Sequence, residues 1–198
     1  MQELQGGVWH WTGTHPEWSL EEDGGPDGWP QEVSSYAVDT GDWFVIIDPI
    51  APPSLLDEVA SGRDPVVVLT CPWHDRDTRA VVERLGAPVY APPRDDSASV
   101  PERVYTAGDG LPGEIVAHAA IERNDLVLWI PKVGALVFGD TLIDRGNGLE
   151  IPVTWDPQEI SRDERLELLR PLLELPVRLV LPTHGPPTDR AALERALA

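Results

Sequence analysis

The apolar positions of this chain fall into short runs bounded by glycine, proline and acidic residues, and most of the runs read as strands. VWHWT (8–12) predicts a first strand. VSSYAVD and WFVIIDP flank Thr40-Gly41-Asp42 and predict a β-hairpin, with the turn residues supplying the reversal. PVVVLT (65–70) is apolar without alternation, the pattern of a strand covered on both faces. APVYAPP, RVYTAG, EIVAHAAI, DLVLWIP and ALVFGD are further strands, with turns at Asn124-Asp125 and Lys132-Val133-Gly134, and VRLVLPTHG is the last. Helical spacing is confined to SLLDEVASG, stopped by Gly62; TRAVVERL, ended by Gly86; RLELLRPLLEL, kinked at Pro171; and the closing DRAALERALA. Ser161 and Glu164 stand in the capping-box spacing that opens the third of these helices. Strands fill the middle of each half and helices lie between and after them. Two sheets packed face to face, with helices outside, satisfy that order.

Composition narrows the class. Of 198 residues, 41% are hydrophobic and 25% charged, as in a globular chain, and no apolar run approaches the ~20 residues of a membrane helix. The N-terminal MQELQGGVWHW lacks a basic segment followed by an apolar one, so a cytoplasmic protein is expected. Net charge is −19, a surface that repels phosphate backbones and argues against a nucleic-acid partner. The single cysteine, Cys71, forms no internal disulfide and fits a reducing compartment. Five of the tryptophans (Trp9, Trp11, Trp18, Trp29 and Trp43) come early and read as packing residues. Neither Gly-x-Gly-x-x-Gly nor Gly-x-x-x-x-Gly-Lys-Ser/Thr occurs, so nucleotide folds lose support.

Candidate chemistry sits at three strand ends: VVVLT-CPWHDRD, ALVFG-Asp140-TL and LVLPT-His184-G. Groups at the ends of buried strands are held rigidly, which suits a binding or catalytic site. In this order, LTCPWHDRD, AHAAIERNDLVLWIP, FGDTL and LPTHG resemble the metallo-β-lactamase superfamily, whose motifs run T-H-x-H-x-D-H, T-P-G-H, G-D-T-L and L-P-G-H-G. WFVIIDP is similar to the strand before that family's first helix. The resemblance covers nearly the whole chain, and its last two motifs match well.

The resemblance implies an α/β chain of the α+β type: one metallo-β-lactamase-like domain over residues 1–198, a four-layer αββα sandwich of two mixed sheets flanked by helices. It further implies one or two metal ions, usually zinc, that acidify bound water toward a pKa of ~7 and polarise an ester, thioester, amide or phosphodiester. Asp140 and His184 fall on metal positions. In the first motif, alignment at Thr70 puts Trp73 on a ligand position, whereas a slip of one residue puts His74 there, with Asp77 on that of the final histidine. The slipped register is preferred. Glu122 falls on the second motif's metal histidine, although Glu-Arg-Asn-Asp is also an ordinary hairpin tip. His118 reads as a packed histidine, and Cys71 as a small buried residue with zinc ligation as the alternative.

Arg76 is a fixed positive charge where the family keeps a carboxylate, and it opposes a nearby dication. Paired with Asp140 or Asp77 it replaces a second ion, so one metal or none is expected. Two functions follow. One is a hydrolase of a small ester- or thioester-type substrate, with His74, Asp77, Glu122, Asp140 and His184 around one zinc and Asp140 and Arg76 acting in catalysis. The other is a non-catalytic relative whose groove is filled by an Arg76–Asp140 ion pair and the Trp73 ring, and which binds a ligand or partner.

Overall fold

Alternation along the strands builds the architecture, because successive side chains point to opposite faces of a sheet. In the computed structural model, which describes every residue except 22, 26–27, 95–97, 99, 101, 122–123 and 153–159, fifteen strands and four helices are defined among the described residues. The first sheet runs in chain order: β1 (Gln2–Gln5), β2 (Val8–Thr14), β3 (Glu32–Asp39), β4 (Trp43–Ile47), β5 (Asp64–Val68), β6 (Val89–Ala91) and β7 (Glu102–Val104). Pairing is antiparallel from β1 to β4 and parallel from β4 to β7. The second sheet contains β8 (Gly110–Leu111), β9 (Ile115–Ala119), β10 (Leu126–Ile130), β11 (Ala135–Phe138), β14 (Leu179–Pro182) and β15 (Thr188–Asp189). Only β11 and β14 pair in parallel there. A hairpin of β12 (Ile143–Asp144) and β13 (Leu149–Glu150) stands apart.

Three apolar layers hold the elements together. Val45, Ile47, Val66 and Val68 of one sheet meet Leu126, Leu128, Ile130 and Val137 of the other in the central layer. The intervening residues of the first sheet, Phe44, Ile46 and Val67, face outward onto α1 (Leu56–Ala60) and α2 (Thr78–Leu85) through Leu56, Ala60 and Val81. Val127, Trp129 and Leu136 face the opposite way, onto α3 (Arg162–Leu169) and α4 (Arg190–Ala196) through Leu166, Leu169 and Leu193. The result is the expected αββα sandwich of two mixed sheets.

The helix boundaries follow local chemistry. Gly86 ends α2 with φ 67°, a conformation glycine adopts without steric cost. Ser161 and Glu164 close a reciprocal capping box at α3. Pro171 cannot continue α3, and the chain passes into a tighter turn over Arg170–Glu174. Trp11 is buried and its indole donates to the Ile50 carbonyl at 2.6 Å, so this early tryptophan packs as expected. No described helix is long and apolar enough to cross a membrane.

Candidate metal centre

The sandwich brings the ends of β4, β5, β11 and β14 to one rim. Cross-sheet bonds lock the rim. The Tyr36 hydroxyl donates to the Pro182 carbonyl at 2.7 Å, the Ser34 amide to that of Thr183 at 2.8 Å, and the Leu126 amide to that of Thr70 at 2.9 Å. After β5 the chain enters a short turn over Pro72–His74, with Pro72 supplying its fixed φ at the first position. This turn sends Trp73 outward, 46% exposed, and buries His74.

His74 joins Asp140 and His184. Its Nε2 lies 3.3 Å from Asp140 Oδ1, and His184 Nε2 lies 3.1 Å from the same oxygen. A Cys71 sulfur, a His74 ring nitrogen and an Asp140 oxygen all lie within 4.8 Å of one another. Tetrahedral zinc with bonds of about 2.0–2.2 Å to N and O sets its ligand atoms about 3.4 Å apart, so both nitrogen–oxygen separations suit a shared ion. Asp140 Oδ1 is buried and makes no aligned hydrogen bond, and its contacts are these two imidazole nitrogens. The thiolate, imidazole and carboxylate set is one that zinc accepts. The residues therefore fit a metal.

Asp48, the last residue of WFVIID, organises this cluster and carries no assigned role in the sequence reading. Fully buried, it accepts from the Thr70 amide at 2.9 Å and the Thr70 hydroxyl at 2.5 Å. Its Oδ2 lies 3.0 Å from His74 Nδ1. Such a carboxylate fixes the imidazole so that Nε2 is the nitrogen offered to an ion. An aspartate closing a wholly apolar strand was the available signal. Trp73 was read only as a poor ligand or a plug, yet its indole donates to Asp140 Oδ2 at 2.5 Å and leaves Oδ1 to the histidines.

Other expected residues lie elsewhere. Asp77 precedes α2, and its carboxylate accepts from the Ala51 amide at 2.6 Å, so it is engaged away from the cluster. That amide is presented by a turn in which Ala51 takes φ 42°. Glu122 lies outside the described residues. His118 is half-buried on β9 and faces the same side of the sheet as Val116, the side that packs against α3 and α4. Arg76 forms no ion pair with Asp140 or Asp77 among the described residues. Its Nη1 donates to the carbonyls of Ser34 (3.2 Å) and Asp48 (3.3 Å).

The electrostatics reflect crowded negative charge. Burial and Arg76 both push the His74 pKa down, but Asp140 and Asp48 outweigh them and it stands above the usual imidazole value. His184 is lowered by burial despite its contact with Asp140. Burial opposes the charge on Asp140, yet His74 and His184 hold its carboxyl well below the ordinary range. Burial, then the charge of Asp140, raises the Cys71 thiol.

No family model matches the chain, and no curated protein matches it. Solved structures do. A metallo-β-lactamase from Pontibacter korlensis is 17% identical with a TM-score of 0.69, over 99% of this chain and 95% of that one. FIM-1 from Pseudomonas aeruginosa, in a mono-zinc form, is 16% identical with a TM-score of 0.67, over 98% and 91%. TTHA1623, in a di-iron-bound form, is 24% identical with a TM-score of 0.62, over 84% and 94%. At these identities the likeness establishes the fold: the chain has the metallo-β-lactamase fold.

Proposed function

We propose that this metallo-β-lactamase-fold protein is a metal-dependent hydrolase of a small ester- or thioester-type substrate, working with one ion of the zinc class. The observation that carries the reading is the approach of two imidazole nitrogens to one buried oxygen, Asp140 Oδ1. The Cys71 sulfur, His74 and Asp140 would hold the ion, joined by His184, whose Nε2 lies 3.1 Å from Asp140 Oδ1. A bound divalent ion supplies Lewis acidity, acidifying water and polarising the carbonyl under attack. The chain's own residues position the parts. Asp48 orients His74, Trp73 holds the outer oxygen of Asp140, and the Asp144 amide fixes the His184 carbonyl at 2.7 Å. Arg76 supplies a fixed positive charge against negative charge on the substrate. Trp29 lies edge-on to His184 with ring centroids 4.9 Å apart and would flank the bound substrate.

Metal content by mass spectrometry tests this on the purified protein and on His184→Ala. About one equivalent, lost in the variant, supports the reading, together with zinc-dependent cleavage in a panel of esters and thioesters. Two equivalents of zinc would contradict a one-ion site. The Trp73–Asp140 hydrogen bond favours a second reading, a non-catalytic ligand-binding protein whose acid is occupied by an indole. Absence of metal uptake under zinc-replete conditions, with no turnover, selects it.

A further inference from the structure

The two oxygens of Asp140 stand in different surroundings. Oδ1 is buried and lies 3.3 Å from His74 Nε2 and 3.1 Å from His184 Nε2. Oδ2 accepts from the Trp73 indole at 2.5 Å. A carboxylate can give each of its oxygens to a separate ion, so an uncapped Oδ2 is open to a second one. The indole nitrogen is a donor only: it occupies Oδ2 and has no lone pair to offer a metal. Cys71, His74 and His184 are buried, whereas Trp73 is exposed, so the capped oxygen lies on the side of the cluster nearest solvent. Arg76, the expected reason for a one-ion limit, forms no ion pair with Asp140 among the described residues. Its Nη1 donates to the carbonyls of Ser34 and Asp48 instead.

We propose that Trp73 sets the number of ions: by capping Asp140 Oδ2 with a group that cannot ligate, it restricts the cluster to one, and an imidazole in its place admits a second. The five-membered rings of indole and imidazole superpose. In the same side-chain orientation, Nε2 of a histidine falls where Nε1 of Trp73 lies, beside Oδ2. Trp73 can act in this way only where the cluster is an ion site, so the inference rests on that part of the reading above and not on hydrolysis.

The test counts zinc equivalents by mass spectrometry, after loading and desalting, in wild type, Trp73→His, Leu168→His and Arg76→Gly. Leu168→His puts an imidazole on the exposed face of α3 and controls for zinc held by an acidic surface. Trp73→His is expected to hold one equivalent more than wild type, and the other two variants no more than wild type. With cobalt in place of zinc, the two ions of Trp73→His couple magnetically, because one carboxylate binds both. No gain in Trp73→His, an equal gain in Leu168→His, two uncoupled cobalt ions, or a gain in Arg76→Gly alone overturns the proposal. If Trp73→His does not fold, wild type still decides by proton NMR. The Trp73 indole N–H, assigned by its loss in Trp73→Phe, exchanges slowly with water in zinc-free and zinc-loaded protein, and rapid exchange overturns the cap. One equivalent in wild type with no gain in Trp73→His removes this inference alone. None in wild type and one in Trp73→His removes the zinc-hydrolase reading alone, and two in wild type removes both.

Discussion

Replacing Asp125 with asparagine isolates the energetic cost of the charge packed behind the cluster. The Asp125 carboxyl is fully buried at the entrance to β10. Oδ2 accepts from the Thr141 hydroxyl at 2.6 Å, and Oδ1 has no partner among the described residues. The chain passes so close at Gly139 that an added Cβ would lie 2.4 Å from Oδ1. Burial first, and the charge of Asp140 second, push its pKa from 3.8 to about 7, with Thr141 pulling the other way. In the unfolded chain the group ionises at its ordinary value. Between these two values the folded protein keeps a proton that the unfolded chain has released, so stability falls as pH rises.

At about 1.4 kcal/mol per unit, a displacement of this size costs on the order of 4 kcal/mol once pH exceeds the folded value. That is a large share of a typical 5–15 kcal/mol. Asparagine keeps the shape and an acceptor for Thr141 but cannot ionise. Urea unfolding of metal-stripped wild type and Asp125→Asn should therefore give similar stabilities near pH 4, with the variant gaining steadily to pH 8. Slopes from groups that do not interact with Asp125 are common to both proteins and cancel. Parallel pH profiles would refute the argument, since the buried carboxyl would then titrate alike in both states.

Asp48→Asn removes the charge that orients His74, and zinc affinity should drop about 10–100-fold in a competitive chelator titration while circular dichroism stays native; unchanged affinity means His74 is not a ligand. Ser161→Ala opens the capping box of α3 and should cost about 1 kcal/mol, a fall of roughly 2–4 °C in melting temperature for a chain of this size. The net charge of −19 predicts self-repulsion, so raising NaCl from about 0.1 M to about 1 M, which shortens the screening length from about 10 Å to about 3 Å, should raise the melting temperature. A flat or falling salt profile contradicts that.

The layers were legible because the central strands are continuous apolar runs, which need cover on both faces. Val66–Val68 and Leu126–Ile130 are apolar at every position, which says that both faces are covered; the structure then assigns Val66, Val68, Leu126, Leu128 and Ile130 to the other sheet and Val67, Val127 and Trp129 to the helices. The two-residue strands β8, β12, β13 and β15 carry no such pattern and are created by their pairing partners. At the rim, His74, Asp140 and His184 could be named because a motif places them. Asp125 was read as a turn residue, since nothing local distinguishes an exposed turn aspartate from one sealed by Gly139 and Thr141 across the sheet. Asp77 shows how a distant turn can engage a carboxylate that the motif places at the site. Its place before α2 is ordinary for a helix-start residue, and the strained Ala51 turn, remote in sequence, claims its carboxylate.

The distribution of protons around the cluster bears on whether an arginine has replaced the metal. His74, Cys71 and Asp125 all hold protons more tightly than usual. For Cys71 and Asp125 the causes are burial and then Asp140; for His74, Asp140 and Asp48 prevail over burial and Arg76. An ion pair between Arg76 and Asp140 would have quenched that field, but the guanidinium spends its Nη1 on backbone carbonyls, and Asp140 still acts on all three groups. A dication held by Cys71, His74 and Asp140 would supply the missing charge directly and would compete with the protons on the first two. Zinc added to metal-stripped, weakly buffered protein near neutral pH should therefore acidify the solution. Zinc binding without proton release would mean that the ion sits elsewhere and that this cluster is not its site.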